Sequence, residues 1–224
     1  MTGPAPMPMW REQPGAAPLP QWFHALLIPL ERASESDLSR LSPPPGARLR
    51  QGAVLMLFGD GSDGPDVLLT QRAADMRSHA GQPAFPGGSI DPTDDGPVAA
   101  ALREAQEETG LDPAGVQVVG TFPQLYLPPS GFSVTPVLGY WQSPVPVAPG
   151  DPREVALAER VPVAHLVDPA NRVTVVHPSG FRGPGFEVAG MLVWGFTAML
   201  LDRLLDMSGW AQPWHPEREA EVPW

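Results

Sequence analysis

Residues 103–111 read REAQEETGL, and this stretch decides the fold of the chain. On an α-helix with 100° between residues, Glu104 and Glu108 lie about 40° apart, and Glu107 lies about 60° to the other side of Glu104. Arg103 lies about 40° from Glu107, which is near enough to hold its carboxylate. One stripe of a single helix therefore carries three carboxylates and an arginine that steadies them.

Negative charge is concentrated around this helix, because residues 91–108 contain six acidic residues and one basic residue. Like charges on one helix face destabilise the helix by a few tenths of a kcal/mol per pair, and a bound cation would offset that. Hard divalent cations prefer carboxylate oxygen. Ala100 and Ala101 lie one turn earlier on the same face, where their small side chains are predicted to leave room for a ligand. The pattern indicates a divalent-metal site, and a solvated acidic surface helix is the alternative explanation.

A tight turn, FPGG at residues 85–88, precedes the acidic segment, and its glycines let backbone amides and carbonyls approach a ligand closely. After Gly88 come five residues, Asp94, eight residues and the 103–111 stretch. This order resembles the Nudix box: Gly, five residues, Glu, seven residues, then Arg-Glu-apolar-any-Glu-Glu-any-Gly-apolar. The second half matches at every fixed position. In the first half Asp94 replaces Glu, and one extra residue precedes Arg103, where the loop before the helix can absorb it.

The resemblance implies the Nudix fold, an α/β fold in which a mixed β-sheet is sandwiched between α-helices (α/β/α). It implies hydrolysis of a nucleoside diphosphate linked to another group. It also implies Mg²⁺ or Mn²⁺ bound by Glu104 and Glu108, often with Glu107 and the backbone carbonyl of Gly88. Glu107 is then the first candidate for the general base. A loop acid such as Glu154 is the other candidate, because the position of the base varies in this superfamily.

A second motif lies just upstream and bears on the substrate. It consists of Arg72, Arg77, Gly81 and Phe85, followed by Gly87. The spacing of these residues resembles the signature of the coenzyme A pyrophosphatase branch of Nudix enzymes. Further matches to that branch are residues 130–137, 154–155 and, less strongly, 193–197. The resemblance implies cleavage of coenzyme A, or of its acyl and oxidised derivatives, to 4′-phosphopantetheine and adenosine 3′,5′-bisphosphate.

The two arginines of this motif suit such an anionic substrate, because a planar guanidinium matches phosphate oxygens. Arg72 ends a predicted strand, and Arg77 and His79 lie in the loop that follows. Pairing of Arg72 with a surface carboxylate is the simpler explanation if the motif is set aside. Gly81 and Phe85 are expected to shape the turn. Two other functions stay open: hydrolysis of ADP-ribose or a nucleotide sugar, and nucleotide binding by a non-catalytic Nudix-like module.

The rest of the sequence excludes several classes of protein. The 224 residues carry 14 Lys and Arg against 25 Asp and Glu, a net charge of −11, which argues against nucleic-acid binding. There is no Cys, so disulfide frameworks and Cys-type zinc sites are excluded. The most apolar stretch, 188–201, is short for a membrane span, and no secretory signal is evident. A soluble, cytoplasmic protein without membrane attachment is expected.

Apolar periodicity and turn residues predict the order of the elements. Helices are predicted over residues 22–32, 34–41, 98–109, 161–167 and 188–207. Strands are predicted over residues 52–58, 66–72, 116–125, 132–140 and 172–177, with residues 73–88 mostly loop. Pro97 suits the start of the acidic helix and Gly110 its end. We expect a Pro-rich tail over 1–20, one domain over 21–209, and a second tail over 210–224.

Overall fold

The computed structural model describes residues 17–39, 41–76, 80–128 and 130–222. Most of the predicted N-terminal tail, residues 1–16, therefore lies outside the described residues. The helices in the described part are α1 (His24–Arg32), α2 (Glu35–Leu38), α3 (Gly96–Thr109), α4 (Val163–Val167) and α5 (Gly195–Met207). The strands there are β1 (Arg50–Gly61), β2 (Gly64–Arg72), β3 (Pro83–Ala84), β4 (Gly87–Ser89), β5 (Val116–Thr121), β6 (Leu125–Leu127), β7 (Phe132–Trp141), β8 (Val155–Pro162), β9 (Arg172–Val176), β10 (Arg182–Val188), β11 (Met191–Val193) and β12 (Glu219–Glu221).

The larger sheet is built around β1, whose continuous apolar run suits a strand covered on both faces. Its main path is β3-β2-β1-β7-β5, while β4 pairs with β1, β6 with β7, and β8 with β2. Strands β1 and β7 run parallel, from the pair Arg50 and Phe132 to the pair Gly59 and Trp141. The other pairs in this sheet are antiparallel, so the sheet is mixed.

Helices cover both faces of this sheet, which confirms the predicted α/β/α layers. Leu55 and Leu57 of β1 pack with Ala100, Ala101 and other residues under α3 on one face. The alternate residues of β1 face the opposite way and pack with α1 and α5. The prediction that Ala100 and Ala101 leave room for a ligand is wrong, because both are fully buried against the sheet.

The predicted helix over 188–207 is also wrong in its first third. Val188 pairs with Met191 across a tight turn that joins β10 to β11, and α5 begins only at Gly195. Gly190 at φ 73° and the preceding residue at φ 50° provide the left-handed backbone that such a hairpin turn needs. Strands β11, β10, β9 and β12 form a second, four-stranded sheet.

The C-terminal segment contributes to that second sheet through β12, which pairs in parallel with β9. Arg172 of β9 is 2% exposed and forms an ion pair with Asp202 of α5. Its guanidinium lies 4.3 Å from the ring centre of Phe186 and 4.7 Å from that of Trp214. Residues 210–222 therefore pack on the domain. No helix within the described ranges has both the length and the apolar character needed to cross a membrane.

Candidate active site

Helix α3 packs on the sheet through its alanines, and the acidic stripe runs along the border of that buried face, so that Glu108 and Glu104 are largely covered and Glu107 is exposed. Pro97 occupies its first turn, and Gly110 ends it in the left-handed conformation at φ 70°, with its N–H donating to the Gln106 carbonyl. Ala100, Ala101 and Ala105 are buried on the sheet side of α3. Strand β4 pairs with β1 beside this helix and places Gly87 and Gly88 next to its carboxylates.

Arg103 lies at the centre of the acidic residues. Its Nε and Nη2 donate to the two carboxylate oxygens of Asp94, at 3.0 Å each. Its Nη1 donates to Glu104 at 3.1 Å and to Glu107 at 3.2 Å, and its Nη2 also reaches the Ser89 carbonyl at 3.1 Å. Hydrogen bonding to Arg103 lowers the pKa of Asp94. Asp94, despite the shorter side chain and the extra residue, thus joins the loop to the helix.

Glu108 and Glu104 are the two carboxylates of the stripe with low solvent exposure. The Glu108 side chain is 11% exposed, whereas that of Glu107 is 60% exposed. The pKa of Glu108 is raised from 4.5 to about 7, chiefly by burial and to a smaller extent by the charges of Glu104 and Glu154. The Gly87 N–H donates to Glu108 Oε2 at 3.1 Å, and this hydrogen bond and the charge of Arg72 both lower the pKa of Glu108. Burial also raises the pKa of Glu104, against the effect of Arg103.

Gly88 approaches Glu104 so closely that any side chain at position 88 would displace the Glu104 carboxylate. A Cβ at this position would lie 2.5 Å from the Glu104 carboxyl carbon and from one of its oxygens. Among the described residues, no three Asp, Glu, His or Cys side chains already form a metal cluster. The donor set still fits a divalent cation: two withdrawn carboxylates with raised pKa values repel each other, beside a backbone that carries no side chain.

Arg72 reaches the same site from the end of β2. Its Nη1 lies 3.9 Å from Glu108 Oε1, and its Nε is buried without a hydrogen-bond partner in the described part of the chain. Gly81 accepts a hydrogen bond from the Gln71 side chain at 3.0 Å and shapes the turn after β2. Phe85 is 2% exposed and belongs to the core. Arg77 and His79 lie outside the described residues.

Some contributors to the site were not predicted as such. Asp91 lies 3.8 Å from Arg103, and its N–H donates to Asp94 at 2.8 Å. The acidic count over 91–108 includes Asp91 but gives no reason to place it at Arg103. The loop between β7 and β8 also closes on the end of α3 through backbone contacts, for which no sequence signal exists.

Comparison with known proteins finds a family match over the part of the chain that contains this site. A sequence model of the NUDIX domain matches residues 48–178. A protein of Cronobacter sakazakii named "Uncharacterized Nudix hydrolase NudL" is 40% identical over 162 residues, which cover 69% of this chain and 81% of that protein. A protein of the same name from Salmonella paratyphi B is 41% identical over 147 residues, covering 62% and 73%. The crystal structure of a Nudix hydrolase from M. smegmatis, RenU, aligns with TM-score 0.51 at 22% identity, covering 71% and 86%, and supports the fold alone.

Proposed function

The chain belongs to the Nudix hydrolase family, and from this premise we propose that it hydrolyses the diphosphate of coenzyme A and its derivatives. The general reaction, hydrolysis of a nucleoside diphosphate derivative, follows from membership of the family. The observation that carries the site is the stripe of Glu104 and Glu108 beside Gly88, braced by Arg103. The substrate assignment is supported by the motif that runs from Arg72 through Arg77, Gly81 and Phe85 to Gly87.

Nudix hydrolases generally use divalent metals such as Mg²⁺ or Mn²⁺. In this chain we assign the metal to Glu104 and Glu108, with Glu107 and the Gly88 carbonyl as further ligands. When bound, the metal supplies positive charge against the diphosphate and lowers the pKa of a bound water. The raised pKa values of Glu104 and Glu108 support this assignment, because a bound cation would stabilise the charged carboxylates that burial disfavours.

The chain's own residues position the reacting groups. Arg103 fixes Glu104 and Glu107 on one side and Asp94 on the other, so that the acidic stripe is ordered before substrate arrives. Arg72, beside Glu108, binds phosphate oxygens of the diphosphate. Water attacks one phosphorus and the phosphoanhydride P–O bond breaks, giving 4′-phosphopantetheine and adenosine 3′,5′-bisphosphate. Glu107 and Glu154 are the two candidates for accepting the proton of that water.

Product analysis tests the proposal directly. The protein is incubated with Mg²⁺ or Mn²⁺ and coenzyme A, and the products are identified by mass. The expected result is equal amounts of the two named products from the natural sequence and none above background from Glu108→Gln. ADP-ribose and a nucleotide sugar are run in parallel. Cleavage of either one without cleavage of coenzyme A would overturn the substrate assignment and keep the Nudix activity.

A further inference from the structure

The loop between β7 and β8, residues 142–154, is tied along its length to the end of α3 and the turn after it; we call it the strap. The last carbonyl groups of a helix have no partner within the helix. Here the N–H of Gly150 donates to the Glu108 carbonyl at 2.9 Å, and the N–H of Ala148 donates to the Thr109 carbonyl at 3.1 Å. Val145 and Val147 pack against the core cluster beneath α3. The strap is therefore anchored to the helix that carries the acidic stripe.

Gly150 is the point of closest approach. A Cβ built on Gly150 would lie 1.9 Å from the backbone carbonyl oxygen of Glu107, an atom that cannot rotate away. The φ of Gly150 is outside the left-handed region, so its backbone conformation is open to any residue. Position 150 therefore requires glycine because of the close contact with α3, and not because of its backbone conformation.

Beyond Gly150 the strap leads directly to an acidic residue of the site. The N–H groups of Glu154 and Val155 both donate to the Asp151 carbonyl at 2.9 Å, which fixes the turn into β8. The Glu154 carbonyl accepts from the N–H of Ala73 at 2.9 Å, next to Arg72. Arg72 in turn lies 3.9 Å from Glu108, and the Glu154 side chain is exposed. One short segment therefore joins the end of α3, the backbone of Glu154 and the Arg72 end of β2.

We propose that Gly150 is a positioning residue of the hydrolytic reaction, whose contact with the Glu107 carbonyl sets where Glu154 lies relative to Glu108 and Arg72. This inference rests on the proposed function. Of the two candidates for the proton acceptor it takes Glu154, because the hydrogen bond from the Ala73 N–H to the Glu154 carbonyl holds Glu154 beside Arg72. A displacement of about 1 Å in such a group can cost about a hundredfold in rate.

A double-mutant cycle tests the coupling with Gly150→Ala, Glu154→Gln and the combination, each measured for kcat, KM and melting temperature with Mg²⁺ and coenzyme A. Gly150→Ala is expected to lower kcat at least about tenfold with KM within about twofold, since a misplaced group affects the reacting step. Glu154→Gln is expected to lower kcat about a hundredfold. The combined variant is expected to stay within about threefold of Glu154→Gln, because a group that is already absent cannot be misplaced.

Gly115→Ala is the matched control. A Cβ at Gly115 would lie 2.6 Å from the carbonyl oxygen of Ser143, so this substitution displaces the opposite end of the same strap by a similar backbone clash. It should lower the melting temperature as Gly150→Ala does, while its effect on kcat stays small and independent of Glu154. If Gly150→Ala fails to fold, Ala148→Pro replaces it, since it deletes the hydrogen bond to Thr109 without adding an atom beside Glu107.

Two results would overturn the proposal: kcat losses that multiply in the combined variant, or normal kcat in Glu154→Gln. Equal coupling of Gly115→Ala to Glu154 would overturn it as well, since the effect would then be that of a generally loosened loop. Failure of the proposed function is seen separately, as absence of coenzyme A cleavage by the natural sequence. In that case the cycle is run on whichever diphosphate of the substrate panel is cleaved.

Discussion

Replacing the most buried carboxylate of the acidic stripe, Glu108→Gln, should stabilise the metal-free protein while removing activity. Burial raises the pKa of Glu108 from 4.5 to about 7. A carboxyl whose pKa is raised on folding favours the folded state fully below pH 4.5, and this contribution is lost as the pH rises through about 7. At 1.36 kcal/mol per pKa unit, the charged Glu108 costs roughly 3 kcal/mol at pH 8 and under about 1 kcal/mol at pH 5.

The assay is urea denaturation in the presence of EDTA at pH 5 and pH 8. Glutamine is a neutral isostere that can still accept the Gly87 hydrogen bond. The free energy of unfolding of Glu108→Gln should therefore exceed that of the natural sequence by up to about 3 kcal/mol at pH 8 and by under about 1 kcal/mol at pH 5. With Mg²⁺ or Mn²⁺ and substrate, its kcat should fall at least about a hundredfold.

The matched control is Glu107→Gln, on the same helix but 60% exposed, which should change the free energy of unfolding by no more than about 1 kcal/mol at either pH. If Glu108→Gln gains no stability at pH 8, the carboxylate is not desolvated as argued. Near-normal turnover of that variant at saturating metal would show that Glu108 is not a metal ligand.

Three further substitutions test other parts of the structure. Arg72→Ala should lower kcat/KM equally on coenzyme A and on dephospho-coenzyme A, by a factor that corresponds to about 1.5–3 kcal/mol, because the side chain lies beside the proposed diphosphate site. A loss confined to coenzyme A would place the Arg72 side chain on the 3′-phosphate instead. Gly88→Ala should lower kcat about a hundredfold, because its Cβ would displace the Glu104 carboxylate, and unchanged kcat would refute the close approach. Arg172→Ala should lower the free energy of unfolding by about 3 kcal/mol in urea denaturation with kcat per folded molecule unchanged. The change removes a buried side chain beside Phe186 and Trp214 and leaves the 30% exposed Asp202 without its partner, and a cost under about 1 kcal/mol would contradict this packing.

The sequence was most informative where one element satisfies several local rules at once. Helix α3 combines a proline at its start, a glycine at its end and carboxylates at helical spacing, so its position and its acidic stripe could be predicted. The central strand β1 could be predicted for a similar reason, as an unbroken apolar run of strand length. The Nudix resemblance then predicted the layers that these elements form.

Prediction failed where the partner, rather than the local sequence, decides the conformation. The apolar stretch over 188–201 suits a buried strand as well as a buried helix. Its first residues form the end of β10 and all of β11, because β11 pairs with β10, which in turn pairs with β9. Strand β8, missed in the sequence, has no clean alternation and is fixed by its long pairing with β2. The bidentate contact between Arg103 and Asp94 could not be foreseen from spacing either, because it depends on how the loop after β4 folds back.

The parallel pairing of β1 and β7 also governs how this protein can fold in time. These two strands are neighbours at the centre of the sheet, yet five strands, β2 to β6, and helix α3 lie between them in the chain. Contacts between distant parts of a chain form slowly, because the loop entropy is lost before the contact stabilises anything. Gly88 and α3 lie inside that loop, so we expect the site to be completed only when β1 has paired with both β4 and β7. Recovery of activity after dilution from denaturant should therefore lag behind the appearance of helix, with the central strand pair setting its rate.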